Sequence, residues 1–447
     1  MLQALVFFSI VLLVVGPIHW YLWKRMVRDT TRPGRARKIG NAIMFALVAL
    51  LLGAFILPRA IGAKTSTIIP LAGYLWLAVM FYLLLILLVL ELPRALANRA
   101  LRRRAAFAPA PAQPTLVAES VGLPKISEVA GQSGETEPVI PPIAGQLERS
   151  SSPEPEPEPQ PGPQRDASAE RDAESRRLFL ARGAAIFAGL TATGITAYGA
   201  RTALSGPVVK RVQIPLAKLP RSMDGYRIAL ASDIHLGPLT GIDHTRRIVN
   251  ALNGLDADIV AIVGDLVDGS VAELADEAAP LRDLRSRNGA YFVTGNHEYF
   301  SGAEEWVAEV ERLGLRALRN ERLAIHGLDL AGVNDVTGVS EGPGKGPDFA
   351  RTLDGRDLSR PVVLLAHQPV QAHEAAKHGV DLQLSGHTHG GQLVPFNLIA
   401  ALQQPVISGL GDVDGTKVYV TNGAGYWGPP VRVGAPPDVT LVELRAP

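Results

Sequence analysis

Three near-continuous apolar runs open the chain: "LQALVFFSIVLLVVGPIHWYLW" over 2–23, "NAIMFALVALLLGAFIL" over 41–57 and "IIPLAGYLWLAVMFYLLLILLVLEL" over 68–92. Each carries roughly 17 to 25 mainly apolar residues, enough to cross the hydrocarbon layer. Trp20, Tyr21 and Trp23 stand at an interface position with basic flanks, so the pattern predicts a three-helix transmembrane region over 1–104 rather than buried core helices. From 105 to 174 large apolar residues become scarce. "AFAPAPAQP" and "SSPEPEPEPQPGPQ" cannot bury enough surface to fold and read as an extended, Pro/Glu-rich spacer. A weakly apolar, Gly- and Ala-rich run follows over 175–205.

Beyond residue 206 the period changes. Strand-like runs are expected at 226–233, 257–265, 290–296, 322–333, 361–366, 380–385, 416–421 and 438–444. Helices are expected at 243–255 (with Asp243 as N-cap), at 273–287 with a break at Pro280, and at 303–314. Strand-helix alternation of this kind predicts one α/β domain over 206–447, with central sheets covered by helices.

The formal net charge of +1 hides segregation. Lys24, Arg25, Arg28, Arg32, Arg35, Arg37 and Lys38 lie between the first two spans, and Arg94, Arg99, Arg102, Arg103 and Arg104 follow the third. Only Arg59 and Lys64 lie between spans two and three. The positive-inside rule puts the first two groups in the cytoplasm and the N-terminus outside. A cleaved signal at residue 1 is disfavoured, because no charge precedes the first apolar run. The segment "SRRLFLARGAAIFAGLTATGITAYGA" (175–200) reads either as a twin-arginine export signal or as a fourth transmembrane helix. Both readings deliver the domain beyond 205 to the outer, periplasmic face of the cell membrane. A transporter is disfavoured, since Glu91 is the only acidic residue within or at the edge of the three spans.

Candidate chemistry gathers at the strand ends. Successive apolar runs lead into Ser232-Asp233-Ile234-His235, Gly264-Asp265-Leu266-Val267-Asp268, Gly295-Asn296-His297-Glu298, His367-Gln368-Pro369 and Gly386-His387-Thr388-His389. Polar groups at the carboxyl ends of neighbouring strands converge in one crevice. Gly390 and Gly391 allow a tight turn or a close backbone approach there. The chain has no cysteine, so thiolate ligands and thiol catalysis are excluded. Asp233, His235, Asp265, Asn296, His367, His387 and His389 supply oxygen and imidazole donors, a mix suited to Mn, Fe or Zn. Seven donors are too many for one tetrahedral ion but suit two ions sharing a carboxylate, which can clamp a phosphoryl group.

In this order, the five motifs resemble the calcineurin-like metallophosphoesterase superfamily over essentially all of 206–447. The resemblance implies a four-layer α-β-β-α sandwich and a dinuclear metal site. Asp233, His235 and His389 would hold one ion, Asp265 would bridge, and Asn296, His367 and His387 would complete the second. His297 matches the histidine that assists the leaving group, and Asp268 the acid that orients it; both are expected to be catalytic. The implied reaction is in-line attack of a bridging hydroxide on phosphorus, hydrolysing a phosphoester bond.

Gly269 stands where protein Ser/Thr phosphatases carry a phosphate-gripping arginine, which lowers the odds of a phosphoprotein substrate. The domain holds about 22 basic against about 29 acidic residues, so no general nucleic-acid binding is expected, although a nuclease or nucleotide phosphodiesterase has the same chemistry. The tail "NGAGYWGPPVRVGAPPDVTLVEL" (422–444), with "GHTHGGQ", resembles the bacterial, often membrane-tethered branch of the superfamily and its eukaryotic transmembrane relatives. Asn296 is a candidate substrate-phosphate contact; Arg432 reads either as a second such contact or as a surface pair in a Pro-rich loop, and Tyr426 and Trp427 either as an apolar rim or as core packing. Membrane tethering points to a phospholipid or cell-envelope phosphoester, a phosphodiester before a monoester. The rival class is a catalytically silent membrane scaffold, disfavoured by the intact donor set.

Overall fold

The structure is a computed structural model that describes residues 2–61, 67–106 and 167–447. These fall into two compact units, Met1–Glu91 with Leu178–Pro447, and Leu92–Arg177. The expected spacer over 105–174 lies almost wholly outside the described residues.

The apolar runs form long helices: α1 (Leu2–Trp23), α2 (Arg35–Ile61), α3 (Ile68–Ala106) and α4 (Ala167–Leu204). Among the described residues Arg35–Leu57, Ile68–Leu96 and Glu174–Leu204 are long and apolar enough to cross a membrane. Arg176 and Arg177 lie inside α4, so that segment has the form of a further crossing. Leu22, Leu51, Met80, Leu83, Ala188 and Ala192 pack as one cluster drawn from all four helices. Glu91 does not stand alone: it takes a hydrogen bond from Tyr21 Oη (2.9 Å) and pairs with Arg25 (2.6 Å).

From residue 208 the chain builds two six-stranded sheets. The first joins β1 (Val208–Pro215), β2 (Tyr226–Ala231), β3 (Ile259–Val263), β4 (Ala290–Val293), β5 (Leu315–Ala317) and β12 (Asp438–Arg445) in the order β1-β12-β2-β3-β4-β5. The second joins β6 (Glu321–Ile325), β7 (Leu328–Gly332), β8 (Val362–Leu365), β9 (Leu382–Ser385), β10 (Gly409–Val413) and β11 (Thr416–Val420) in the order β10-β11-β9-β8-β7-β6. Period-two alternation sorts each strand's side chains. Ile228, Leu230, Ile259, Ala261 and Val263 face Leu330, Val363, Leu365, Leu382 and Leu384 between the sheets. Ala229, Ala231, Val260 and Ile262 face outward, against a core that includes Ile248 of α5 (Ile242–Asn253), Leu274 of α6 (Val271–Ala278) and Trp306 of α8 (Ala303–Arg312). On the far side Ala331, Val362 and Leu364 pack with Phe349 of α9 (Phe349–Leu353) and Ala375 of α10 (Ala372–Lys377). The two remaining helices are short: α7 (Asn296–Ser301) and α11 (Asn397–Ala400).

The α-β-β-α sandwich is therefore present. The single strand expected at 322–333 is instead an antiparallel hairpin, β6–β7, turned at His326 and Gly327, both with φ above zero. Asp243 does not cap α5; Gly241 holds that position, and Asp243 in the first turn pairs with Arg246. Past Ala278 the helix of 271–278 tightens into a 3₁₀ turn containing Pro280.

Candidate metal centre

The backbones of the loops leaving β2 and β3 bond to one another, as do those of the loops leaving β8 and β9. Asp233 N donates to Gly264 O (3.0 Å), His235 N to Asp265 O (3.2 Å), and Gly386 N to His367 O (3.0 Å). Gly386 has no alternative at its position. A Cβ there would overlap Ser232 Oγ and Asp233 Oδ2. Five of the seven expected ligands hold left-handed backbone conformations: Asp233 (φ 52°), His235 (49°), Asp265 (53°), His387 (70°) and His389 (52°). Non-glycine residues rarely occupy this region, and strain of this kind concentrates where side chains must be aimed at a site.

All seven expected donors converge. Ligand atoms of Asp233, His235 and His389 lie within 4.8 Å of one another, and so do those of Asp265, His367 and His387. His387 Nδ1 stands 3.0 Å from Asn296 Oδ1, which joins Asn296 to the second group. His235 Nδ1 faces the Asp268 carboxylate at 2.9 Å, so Nε2 presents a lone pair, 3.0 Å from His389 Nε2. His367 Nδ1 faces Val263 O at 2.7 Å, and its buried Nε2 lacks a hydrogen-bond partner although Asp265 Oδ2 lies 3.1 Å away, out of alignment. The unpartnered His367 Nε2 against the Asp265 carboxylate is the contact that a bound cation would bridge.

The electrostatics divide the imidazoles: burial would lower His367, but the Asp265 and Asp233 carboxylates hold it well above the ordinary histidine value, whereas His387 and His389 are lowered. Burial drives Asp233 up from the usual carboxylate range, whereas Asp265, despite burial, is pulled well below it by His367. Burial and the nearby His367 push His387 down to about 3. Burial, then the Arg432 guanidinium, lowers His389 well below the ordinary histidine value. Neutral imidazole is the form a metal requires. Hard oxygen and imidazole donors, with no thiolate, fit Mn, Fe or Zn.

His297 and Asp268 form a separate pair at the edge. His297 Nδ1 lies 2.7 Å from Asp268 Oδ1, the same oxygen that holds His235. Burial would lower His297, but the hydrogen bond to Asp268 and the Asp265 carboxylate lift it to about 9. Burial would raise Asp268, but His235 and His297 bring it to about 2. His297 Nε2 stands 4.0 Å from Asp265 Oδ2, and His235, Asp265 and His297 also gather within 4.8 Å of one another.

Arg432 is placed differently from the sequence expectation. It is fully buried. Nε donates to Gly425 O (3.1 Å), Nη1 to His389 O and Asn422 O (both 2.8 Å), and Nη2 to Gly425 O while touching His389 Nδ1 at 3.1 Å. No guanidinium nitrogen is left for a substrate phosphate, so Arg432 positions the His389 loop instead. The rim expectation divides too: Tyr426 is buried and donates to Leu239 O, whereas Trp427 is exposed, its ring 5.8 Å from that of His297. Sequence reasoning passed over Glu298. Its buried carboxylate accepts from Asp265 N (3.0 Å), Leu266 N (2.7 Å) and Gly295 N (2.6 Å), tying the loops after β3 and β4 together. The available signal was its place three residues after Gly295, a helix-capping spacing.

Residues 226–391 match the family model for the calcineurin-like phosphoesterase. An uncharacterized metallophosphoesterase of Aquifex aeolicus is 35% identical over 241 residues, covering 53% of this chain and 91% of that protein. The chain belongs to the calcineurin-like metallophosphoesterase family. A Danio rerio protein named "Transmembrane protein with metallophosphoesterase domain" is 40% identical over 263 residues, 56% of this chain and 60% of that one. An uncharacterized metallophosphoesterase of Helicobacter pylori (strain J99) is 39% identical over 243 residues, 54% of this chain and 65% of that one. The chain thus spans about three fifths of the length of the first curated relatives it matches.

Proposed function

We propose that this chain is a membrane-tethered, metal-dependent phosphoester hydrolase. The observation that carries the reading is the convergence of seven donors, from five strand ends, into two adjoining groups that share the Asp265 neighbourhood. Asp233, His235 and His389 would hold one cation, and Asn296, His367 and His387 a second, with Asp265 between them. When bound, such ions neutralise phosphoryl oxygens and acidify water.

The chain's own residues do the rest. Glu298 and the Arg432 guanidinium fix the loops that aim the ligands. Asp268 holds the rings of His235 and His297 through one oxygen, so the orientation of a ligand and of the proton donor are set together. His297 has its Nδ1 engaged by Asp268 and Nε2 turned toward the Asp265 side, where it can protonate a departing oxygen. Asn296, beside His387, can also meet a phosphoryl oxygen. The long apolar helices and the basic flanks support a multi-pass reading with the catalytic domain on the outer face of the cell membrane.

The test uses the purified full chain in detergent, stripped of metal and reloaded separately with Mn, Fe or Zn. About two ions per chain, with metal-restored hydrolysis of a chromogenic aryl phosphomonoester or diester, are expected. Metal uptake without hydrolysis of any ester would favour the silent-scaffold alternative.

A further inference from the structure

Between His389 and Asp412 there is no charged residue. Within this stretch the chain leaves the metal centre through Gly390, Gly391 and Gln392, then presents Val394, Phe396, Leu398, Ile399 and Leu402 around α11. All five are exposed, Leu398 by 66% and Leu402 by 84%. A soluble protein gains nothing from such a cluster, whereas an element lying in a lipid interface requires it.

The membrane helices say what covers it. Leu393 and Val433, paired in a short bridge, pack against the cluster formed by α1–α4. Tyr82 Oη of α3 donates to Val394 O at 3.2 Å. Tyr82 is roughly 20 Å along α3 from Ile68 at the helical rise, in the middle of the Ile68–Leu96 stretch able to cross a bilayer. A segment bonded there shares the depth of the acyl chains.

The same segment is joined to the reacting edge. Gln392 Oε1 accepts from Trp427 N (3.1 Å) and Nε2 donates to Trp427 O (2.9 Å). Exposed Trp427 and Phe300 place their rings 5.8 and 5.7 Å from His297. The segment is thus tied, through Gln392 and Trp427, to the edge that carries the proton donor.

Resting on the phosphoesterase reading, we infer that residues 394–402 dip into the leaflet and that the substrate is a lipid. Its phosphorylated head group would reach the metal centre from the bilayer plane while its chains stay in the leaflet beside this segment.

The cysteine-free chain allows a direct test. Single substitutions Leu402→Cys and, as a control on the loop before β8, Leu358→Cys are labelled with an environment-sensitive fluorophore. The labelled full chain is then placed in phosphatidylcholine vesicles containing brominated lipid. Quenching at 402 but not at 358 is expected; an unquenched 402, or equal quenching at both, overturns the inference. Activity is compared on methyl and hexadecyl p-nitrophenyl phosphate, which share one scissile bond. The hexadecyl ester is expected to be preferred by about tenfold or more, because remote binding energy can raise kcat/KM. The double variant Leu398→Asp/Leu402→Asp should erase that preference and keep methyl-ester turnover within about twofold, since it touches only remote binding. Equal use of both esters by the unsubstituted chain, or loss of both in the variant, refutes the inference alone. With metal supplied and neither ester cleaved, aryl phosphate and phosphatidic acid are the monoester counterparts; failure on all four defeats the phosphoesterase reading itself.

Discussion

His297 and Asp265 lie within one cluster, yet their removal should read differently. His297→Ala deletes a group bonded to Asp268 and outside the seven expected ligands. Turnover should fall by roughly 10²-fold or more, the usual contribution of a positioned acid, while bound metal stays unchanged by elemental analysis. Asp265→Ala removes the carboxylate between the two donor groups and should empty the centre. Metal loss in His297→Ala would instead make His297 a ligand, as the His235–Asp265–His297 grouping permits. Arg432 makes a sharper contrast. If it bound substrate, its loss would raise KM and leave stability alone. Its place demands the opposite: Arg432→Met strands the carbonyls of Gly425, His389 and Asn422 in the interior, at a cost of about 3 kcal/mol or more. Thermal unfolding in detergent should register that loss for Arg432→Met, and Arg432→Lys should not restore it, because one ammonium cannot reproduce the planar fork.

At the scale of elements, function depends on how closely the strand ends approach. Gly386→Ala should push the β9 loop off Ser232 and Asp233, which contact it directly. Overpacking of this kind costs about 1–3 kcal/mol, and here the displaced atom belongs to an expected ligand. Weakened metal affinity by titration, with near-native circular dichroism, is therefore expected; full affinity would mean that the loop has slack. The same geometry explains what could be read beforehand. Strands buried on both faces, such as β3 and β8, announce themselves as unbroken apolar runs, and each ends in an unusual polar cluster. Three edge or near-edge strands escaped notice for physical reasons. β1 (VVKRVQIP) is largely exposed, β5 has three residues, and β10 (GLGDV) is Gly-rich, so none needs a continuous apolar face. Arg432 misled for another reason. A lone basic residue in a Pro-rich loop carries no period, and only the fold shows that its fork is turned inward onto carbonyls.

The whole molecule joins two structures of opposite polarity. At one end of the helical bundle, Arg25 pairs with Glu91 and Arg182 donates to Thr30 O at 3.0 Å, gathering the basic loop of 24–38. Gly199 lies roughly 25 Å further along α4. Its carbonyl accepts from Arg432 N at 2.9 Å, and a side chain there would strike Val431 and Val433. The basic loop and the Gly199 contact with the phosphoesterase domain are thus about 25 Å apart along α4, and on the proposed topology the positive-inside rule would put the basic end in the cytoplasm. With no native cysteine, two single substitutions decide the matter in intact cells whose outer barrier has been opened. A membrane-impermeant maleimide should label Leu358→Cys at once and Pro33→Cys only after the bilayer is permeabilised. The reverse pattern would put the metal centre in the cytoplasm and change the leaflet from which a lipid substrate is drawn. Labelling of both positions without permeabilisation would mean that the helices do not separate these two ends across the bilayer, removing the geometric basis for the immersion of residues 394–402.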